Sequence, residues 1–135
     1  KHPEFTQFTL VDKIPNQFKF ECSLDYEHRH FEEFKRSMRI FADTCEMPEK
    51  TYLNMLTTCE KLYNNALENK PKSLKYMDFS FYEGDDYIQM TIKNCGRPFN
   101  PVAQGLLDAE LCGASSIEYR FMFGMNFTSV KWNKE

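Results

Sequence analysis

Two adjacent segments with helical periodicity, separated by one short break, constrain the fold of this chain more than any other feature. Apolar residues recur every three or four positions in 28–45, and 48–69 repeats the pattern behind Pro48, which suits the first turn of a helix. The apolar positions are Phe31, Phe34, Met38, Phe41 and Cys45, then Tyr52, Met55, Leu56, Cys59, Leu62, Tyr63 and Ala66. Each segment therefore predicts an amphipathic helix with one face on a core.

The segments on either side of the helical pair alternate apolar and polar residues, which is typical of strands. The predicted strands are Glu4–Val11, Gln17–Ser23, Leu74–Glu83, Tyr87–Asn94, Ile117–Phe123 and a last strand that ends near Trp132. Val102–Leu111 is predicted as a short helix. Because helices interrupt hairpins without a regular strand–helix–strand alternation, the sequence predicts an α+β fold: a two-layer sandwich with a mixed, mostly antiparallel sheet and helices on one face.

Length and composition indicate one domain, over residues 1–135, and exclude several classes of function. The net charge of −3, with scattered Lys and Arg, argues against a nucleic-acid-binding face, and no apolar run is long enough to span a membrane. The five cysteines form no metal-binding motif or disulfide framework, so reduced thiols and a cytoplasmic location are expected. The chain begins at Lys1 and not at Met, as a processed product or an excised domain would.

The second predicted helix carries a carboxylate and a carboxamide one turn apart. Glu60 and Asn64 are four residues apart, so they project from the same side of the helix. Oxygen ligands of this kind suit Mg²⁺, which keeps several waters and adds phosphate oxygens. The same pair is also ordinary on the solvated face of a helix, so the spacing alone does not define a site.

A turn directly after the predicted strand Tyr87–Asn94 carries the second candidate group. Asn94 ends the strand, and Gly96 would let a flat ring approach the backbone closely. The Asn94 side chain offers an oxygen that can accept a hydrogen bond from an exocyclic amine. A strand that simply ends in a turn, reinforced by Pro98 and Pro101, would have the same appearance.

Together, the helix segment with Glu60 and Asn64, the turn Asn94-Cys95-Gly96 and the order of elements resemble the anti-sigma-factor serine kinases of the histidine-kinase-type ATPase superfamily. The resemblance covers nearly the whole chain. It implies that Asn64 coordinates Mg²⁺ between the phosphates of ATP, and that Glu60 is the base toward the attacking hydroxyl. By the same resemblance, Asn94 and Gly96 bind adenine. The resemblance also implies a regulatory protein partner, a transcription factor or an antagonist protein, and a homodimer formed through the sheet and the first helix.

Three departures from that family's pattern weaken the nucleotide site. Asn94 stands where the family has Asp, so the charge-assisted bond to adenine is lost. Only eight residues separate Gly96 from Gly105, where the family has a much longer lid. Gly105 is one glycine where the family's phosphate-binding turn has two, which leaves fewer free backbone N–H groups for phosphate; Gly113 is an alternative anchor.

Two main functions are open from the sequence, and a third, an accessory domain of this fold from a larger sensor, is suggested only by the absent initiator Met. We favour a regulatory protein that acts by protein–protein contact, with ATP and Mg²⁺ binding weak or lost. The alternative is an active Mg-ATP-dependent serine/threonine kinase that phosphorylates an antagonist protein. The segment 97–113 separates them: folded over an open pocket lined by Glu60 and Asn64 it supports the kinase, whereas a pocket filled by its own apolar residues supports the contact module. Those apolar residues are Val102, Leu106, Leu107 and Leu111.

Overall fold

The computed structural model describes residues 18–25, 28–69 and 77–134. The strands within them are β1 (Phe18–Leu24), β2 (Met77–Glu83), β3 (Tyr87–Cys95), β4 (Ser116–Met122) and β5 (Met125–Asn133), and the helices are α1 (His28–Thr44) and α2 (Glu49–Asn69). The predicted helices and the predicted strands from Gln17 onward are therefore confirmed, apart from shifts of a few residues at their ends. The predicted strand Glu4–Val11 and residues 74–76 lie outside the described residues.

The described strands form one sheet in the order β1-β2-β3-β5-β4, and all of their pairings are antiparallel. The predicted α+β class is confirmed, with an antiparallel sheet throughout the described strands. β3 ends opposite Met125, the first residue of β5, whereas β4 begins opposite Lys131 near the far end of β5. The segment 96–115, which joins β3 to β4, must therefore run along β5 from one end of the sheet to the other.

Both helices pack on the same face of the sheet. The Phe34 ring in α1 lies 4.6 Å from the Phe79 ring and 6.0 Å from the Phe81 ring, measured between centroids. The Cys59 sulfur in α2 lies 3.1 Å from the Met90 sulfur in β3. Because Phe81 and Met90 are directly opposite in the β2–β3 ladder, their side chains point to the same face. The predicted two-layer sandwich is thus confirmed.

The core lies between this face and the helices. Every predicted apolar position of α1 and α2 is buried except Leu56, which is half-buried against the same core. The buried strand residues are Phe20, Cys22 and Leu24 of β1, Met77, Phe79 and Phe81 of β2, Ile88, Met90 and Ile92 of β3, and Val130 and Trp132 of β5. The alternation of the strands and the three-to-four spacing of the helices therefore account for the core.

A tight corner joins the two helices. Glu46 has φ 55°, and the N–H of Met47 donates to the Ala42 carbonyl at 2.9 Å, which is the closing bond of a Schellman motif. The second helix begins directly after Pro48, whose carbonyl accepts the N–H of Tyr52 at 3.0 Å. The role predicted for Pro48 at the helix start is confirmed.

The predicted short helix over Val102–Leu111 is wrong. The chain there makes separate turns: the Gln104 N–H donates to the Asn100 carbonyl, and the Cys112 N–H donates to the Asp108 carbonyl, both at 2.9 Å. Gly105, with φ 80°, ends the first turn. The Asn100 and Asp108 side chains also accept hydrogen bonds from backbone N–H groups two or three residues later. Each of these residues therefore begins a separate turn. Local side-chain capping here outweighs the apolar spacing.

Candidate functional site

Helix α2 has two flanks with different neighbours. On one flank, the Glu60 carboxylate lies 4.0 Å from the Lys35 Nζ of α1. On the other flank, Asn54 packs so closely on Gly113 that a Cβ at Gly113 would lie 2.3 Å from the Asn54 Nδ2. Glu60 follows Asn54 by six residues, which places the two side chains about 120° apart around the helix. One flank therefore faces α1 and the other faces the segment 96–115.

The predicted base and Mg²⁺ ligand lie on the outer side of α2, toward α1. The Glu60 side chain is 43% exposed, and its neighbour Lys35 also pairs with Glu32 at 3.1 Å. Asn64 is exposed, and a spacing of four residues places it about 40° from Glu60 around the helix. The structure brings these two side chains together but not toward Gly113, and their roles as base and ligand stay predictions.

Asn65, to which the sequence reasoning gave no role, lies on the opposite flank. It follows Asn54 by eleven residues, about three turns, so it lies within about 20° of Asn54 around the helix. Asn65 is half-buried, and Lys61 one turn earlier is exposed. The carboxamide on the flank of the segment 96–115 is therefore that of Asn65. The sequence offered the adjacent pair Asn64-Asn65 as a signal, but it left open which of the two asparagines faces the segment 96–115.

The turn after β3 lies at the end of the sheet where β5 begins. Asn94 is half-buried and directly opposite Asn126 in the β3–β5 ladder. Gly96 has φ 144°, and its N–H points to the Gly124 carbonyl at 3.4 Å. A backbone angle in this range favours glycine, so the fold itself accounts for Gly96. The adenine-binding roles of Asn94 and Gly96 stay predictions.

Asn126, which is 5% exposed, organises this end of the sheet. Its Oδ1 accepts hydrogen bonds from the Phe99 N–H at 2.8 Å and from the Tyr119 hydroxyl, and its Nδ2 donates to the Arg97 carbonyl at 2.9 Å. The Phe99 N–H also reaches the Tyr119 Oη at 3.0 Å. These bonds hold the turn 97–99 beside Asn94.

The segment 96–115 contributes to the core on the helix side of the sheet. Leu107 and Cys112 are buried, at 2% and 5% exposure. The Cys112 carbonyl accepts a hydrogen bond from Trp132 Nε1 at 2.9 Å, which attaches the segment to β5. With Gly113 against Asn54, the segment contacts both α2 and β5. It therefore fills space between the helix and the sheet.

The apolar residues that would fill a pocket under the contact-module hypothesis divide into two pairs. Leu107 is buried and Leu106 packs partly against the core, whereas Val102 and Leu111 are exposed, Leu111 at 79%. Gly105, the predicted phosphate-binding glycine, lies on an exposed turn with open space around its Cα. This exposed position neither supports nor excludes contact with phosphate, so the phosphate-binding role of Gly105 stays a prediction.

The described residues contain no cluster of three or more His, Cys, Asp or Glu side chains that could hold a metal ion. No helix among them is both long enough and apolar enough to cross a membrane. Burial raises the pKa of the Cys22 thiol, with a smaller contribution from the Asp78 charge, and burial likewise raises the pKa of the Cys59 thiol. Burial therefore disfavours the thiolate, which is the reactive form, at both positions.

Comparisons with known proteins bear on the fold. No protein-family model and no curated protein sequence matches the chain. Among solved structures, the chain is similar to the crystal structure of the RsbU and RsbW domains of Rv1364c from Mycobacterium tuberculosis, with a TM-score of 0.65 and 11% sequence identity. The match covers 84% of this chain and 31% of that one. The α+β sandwich is therefore a fold shared with a structure that includes an RsbW domain.

Proposed function

We propose that this chain is a regulatory protein of the anti-sigma-factor-kinase type, which acts by binding another protein and whose nucleotide site is degenerate. The observation that carries the proposal is the burial of Leu107 and Cys112 in the core. They belong to a segment that reaches α2 where Gly113 packs on Asn54, and β5 where the Cys112 carbonyl accepts from Trp132 Nε1. The chain's own segment thereby takes space beside the helix that a nucleotide would need. The structural similarity to the RsbU and RsbW domains supports the class of regulator.

The residues around this space fit a magnesium nucleotide poorly. The Glu60 carboxylate lies next to Lys35, about 120° around the helix from the flank that carries Asn54. The turn 97–99 is bonded to Asn126 next to Asn94, where a ring would have to approach. Phosphoryl transfer depends almost entirely on positioning and charge neutralisation. Misplaced site residues would therefore abolish phosphoryl transfer while leaving the fold intact.

The partner we propose is a regulatory protein, either a transcription factor or an antagonist protein, in the cytoplasm. All five cysteines are free, and four of them are buried, which suits a reducing compartment. The net charge of −3 does not suit nucleic acid as the partner. The contact itself would then carry the regulation, without a phosphorylated product.

Calorimetric titration of Mg-ATP and of Mg-ADP into the 135-residue chain tests the loss of the nucleotide site. We expect no heat of binding at millimolar nucleotide. The matched variants are Asn64→Ala and Asn65→Ala on α2, with Asn133→Ala at the exposed end of β5 as the control. All three should behave like the parent chain.

Micromolar binding that Asn64→Ala or Asn65→Ala abolishes and Asn133→Ala leaves intact would overturn the proposal. It would favour the alternative, an active Mg-ATP-dependent serine/threonine kinase. The asparagine whose replacement abolishes binding would then identify the flank of α2 that binds the nucleotide. A radiolabelled phosphate transfer assay with candidate antagonist proteins would follow.

A further inference from the structure

Strand β4 is an edge strand in the described part of the chain, where it pairs with β5 alone. Its seven residues, Ser116–Met122, contain no proline, glycine or lysine, and its register with β5 is continuous, without a bulge. An edge without proline, lysine or a bulge offers a row of N–H and C=O groups to another strand, and its charged residues, Glu118 and Arg120, then restrict which strand can pair with it. β4 is therefore built like a strand that accepts a partner.

The side chains of β4 are self-complementary in charge. Glu118 and Arg120 are both exposed, and both lie on the face of the sheet away from the helices, because Ile117 is opposite the buried Val130. The two opposite charges flank Tyr119 symmetrically. When such a strand pairs with an antiparallel copy of itself about Tyr119, each charge lies opposite its counter-charge.

We propose that β4 pairs with β4 of a second copy of this chain, antiparallel and about a two-fold axis at Tyr119. The two described sheets then become one continuous sheet, with both helix layers on the same face. This dimer does not depend on whether the nucleotide site works. It also differs from a dimer through the first helix, since α1 packs on β1 and β2 at the other side of the sheet.

Charge selects this register over its neighbours. Side-chain alternation allows only registers in which a residue lies opposite its own copy, because the others would place side chains from opposite faces together. Centring on Glu118 would oppose two carboxylates, and centring on Arg120 would oppose two guanidinium groups. Like charges directly opposite destabilise a strand pair, and opposite charges stabilise it. Centring on Tyr119 avoids both repulsions, and it is the register that places each Glu118 opposite an Arg120 of the other copy.

The apolar residues of β4 fit the same register. Ile117 lies opposite Phe121 of the partner subunit, and this pair repeats on the other side of the axis. Phe121 is 39% exposed in the single chain, and Ile117 is half-buried. Aromatic and β-branched side chains directly opposite each other stabilise antiparallel pairs. The dimer would thus cover apolar surface that one chain leaves exposed.

A seven-residue strand pair buries less than the roughly 1,200 Å² at which stable interfaces begin, so we expect a dimer that dissociates on dilution. Sedimentation equilibrium of the 135-residue chain from about 10 μM to about 1 mM measures it. Glu118→Arg alone and Arg120→Glu alone should each weaken the dimer at least about tenfold, because each creates two like-charge contacts. The double exchange E118R/R120E should restore the affinity of the parent chain.

An equimolar mixture of the two single variants provides a second test. Both charge pairs are complementary in the mixed dimer, so dimers should form in the mixture although neither variant forms them alone. Glu21→Arg, a matched exchange at the exposed Glu21 of β1, is the control and should have no effect. Thermal unfolding checks that every variant folds like the parent.

Three results would overturn the proposal. If the chain is monomeric at every concentration, β4 does not pair with its own copy, and any strand that pairs with it would come from a different protein. Dimers that the exchanges at Glu118 and Arg120 do not weaken would use another surface. A double exchange that fails to restore dimers lost in the single variants would show that the charges act separately and not across a two-fold axis.

Discussion

The two halves of the sandwich are held by different chemistry. Where α1 covers β1 and β2, phenylalanine rings pack on one another in stacked and tilted pairs, with centroid distances from 4.6 to 6.2 Å. Where α2 and the segment 96–115 cover β3 and β5, the core consists mainly of aliphatic and sulfur-containing side chains, and single directional bonds attach the segment, such as those of Asn126 and of Trp132 Nε1. Each packed ring contacts several others, so no single contact is decisive for the stability of this half. A bonded turn depends on one or two atoms, so this second half is the one expected to open locally.

The largest effect is expected in the aromatic half. Phe34→Ala should lower the free energy of unfolding by about 3–5 kcal/mol, because Phe34 is fully buried among the rings of Phe31, Phe79 and Phe81. Urea denaturation followed by circular dichroism measures the change. Ile40→Ala, at a half-exposed position of the same helix, should cost less than about 1 kcal/mol. A loss below about 1 kcal/mol for Phe34→Ala would mean that the ring cluster is not the centre of stability.

A smaller and more local effect is expected in the bonded half. Asn126→Ala should lower the free energy of unfolding by about 1–3 kcal/mol, because the Phe99 N–H and the Arg97 carbonyl lose their shared partner. Hydrogen exchange should accelerate at the Phe99 amide and stay unchanged in β1 and β2. Asn133→Ala, at an exposed position of the same strand, is the control. Faster exchange spread evenly over both halves would contradict the division between them.

Two buried thiols whose pKa is raised, one in each half, predict a dependence of stability on pH. Burial raises the pKa of Cys22 in β1 and of Cys59 in α2 above their ordinary value of 9.0. The unfolded chain therefore loses these protons first, and folding free energy that is fully present below pH 9.0 is lost as the pH rises further. The slope is about 1.4 kcal/mol per pH unit for each thiol.

Denaturation curves from pH 8 to pH 10 for Cys22→Ala and Cys59→Ala separate the two contributions. Each variant should show a shallower slope than the parent chain. An unchanged slope in one variant would mean that its half of the core opens to solvent at high pH. The comparison thus reports which half stays closed.

The smallest effect is expected at the tip of the β4–β5 hairpin. Phe123 is 93% exposed with φ 53°, and Gly124 follows with φ 74°, which is the geometry of a type I′ turn that prefers Asn-Gly. Phe123→Asn should raise the free energy of unfolding by about 0.5–1 kcal/mol, because it relieves a left-handed backbone without losing burial. Leu111→Asn, at another exposed apolar position, should not raise it. Equal effects of both changes would mean that removing an exposed apolar side chain stabilises the protein, and not the relief of the left-handed backbone at Phe123.

Much of the fold could be predicted because its signals are local. The spacing of Phe34, Met38 and Phe41 predicts the buried face of α1 without knowledge of any other element. The turns of 100–112 could not be predicted in the same way. There Asn100 and Asp108 cap the backbone, and those short bonds compete with a helical pattern of apolar residues.

The candidate site was less predictable than the fold. Glu60 and Asn64 share one side of α2, as their spacing requires, but spacing says nothing about which side faces α1. The position of Lys35 decides that question, and it leaves Asn65 on the flank toward Gly113. Asn126 had no signal beyond its place after the hairpin turn. Two of its hydrogen-bond partners, Arg97 and Phe99, lie more than twenty residues away along the chain, and the third, Tyr119, is on the facing strand.

By itself, the sequence determined the helices, the hairpins and the sandwich class, because hydrophobic periodicity acts between residues a few positions apart. The tertiary structure alone decided which flank of α2 faces the segment 96–115, that Leu107 and Cys112 of this segment join the core, and that β4 is an edge strand of the described sheet. These outcomes depend on contacts between residues distant in sequence. Such contacts carry no local pattern, and only the closed packing of both layers brings them together.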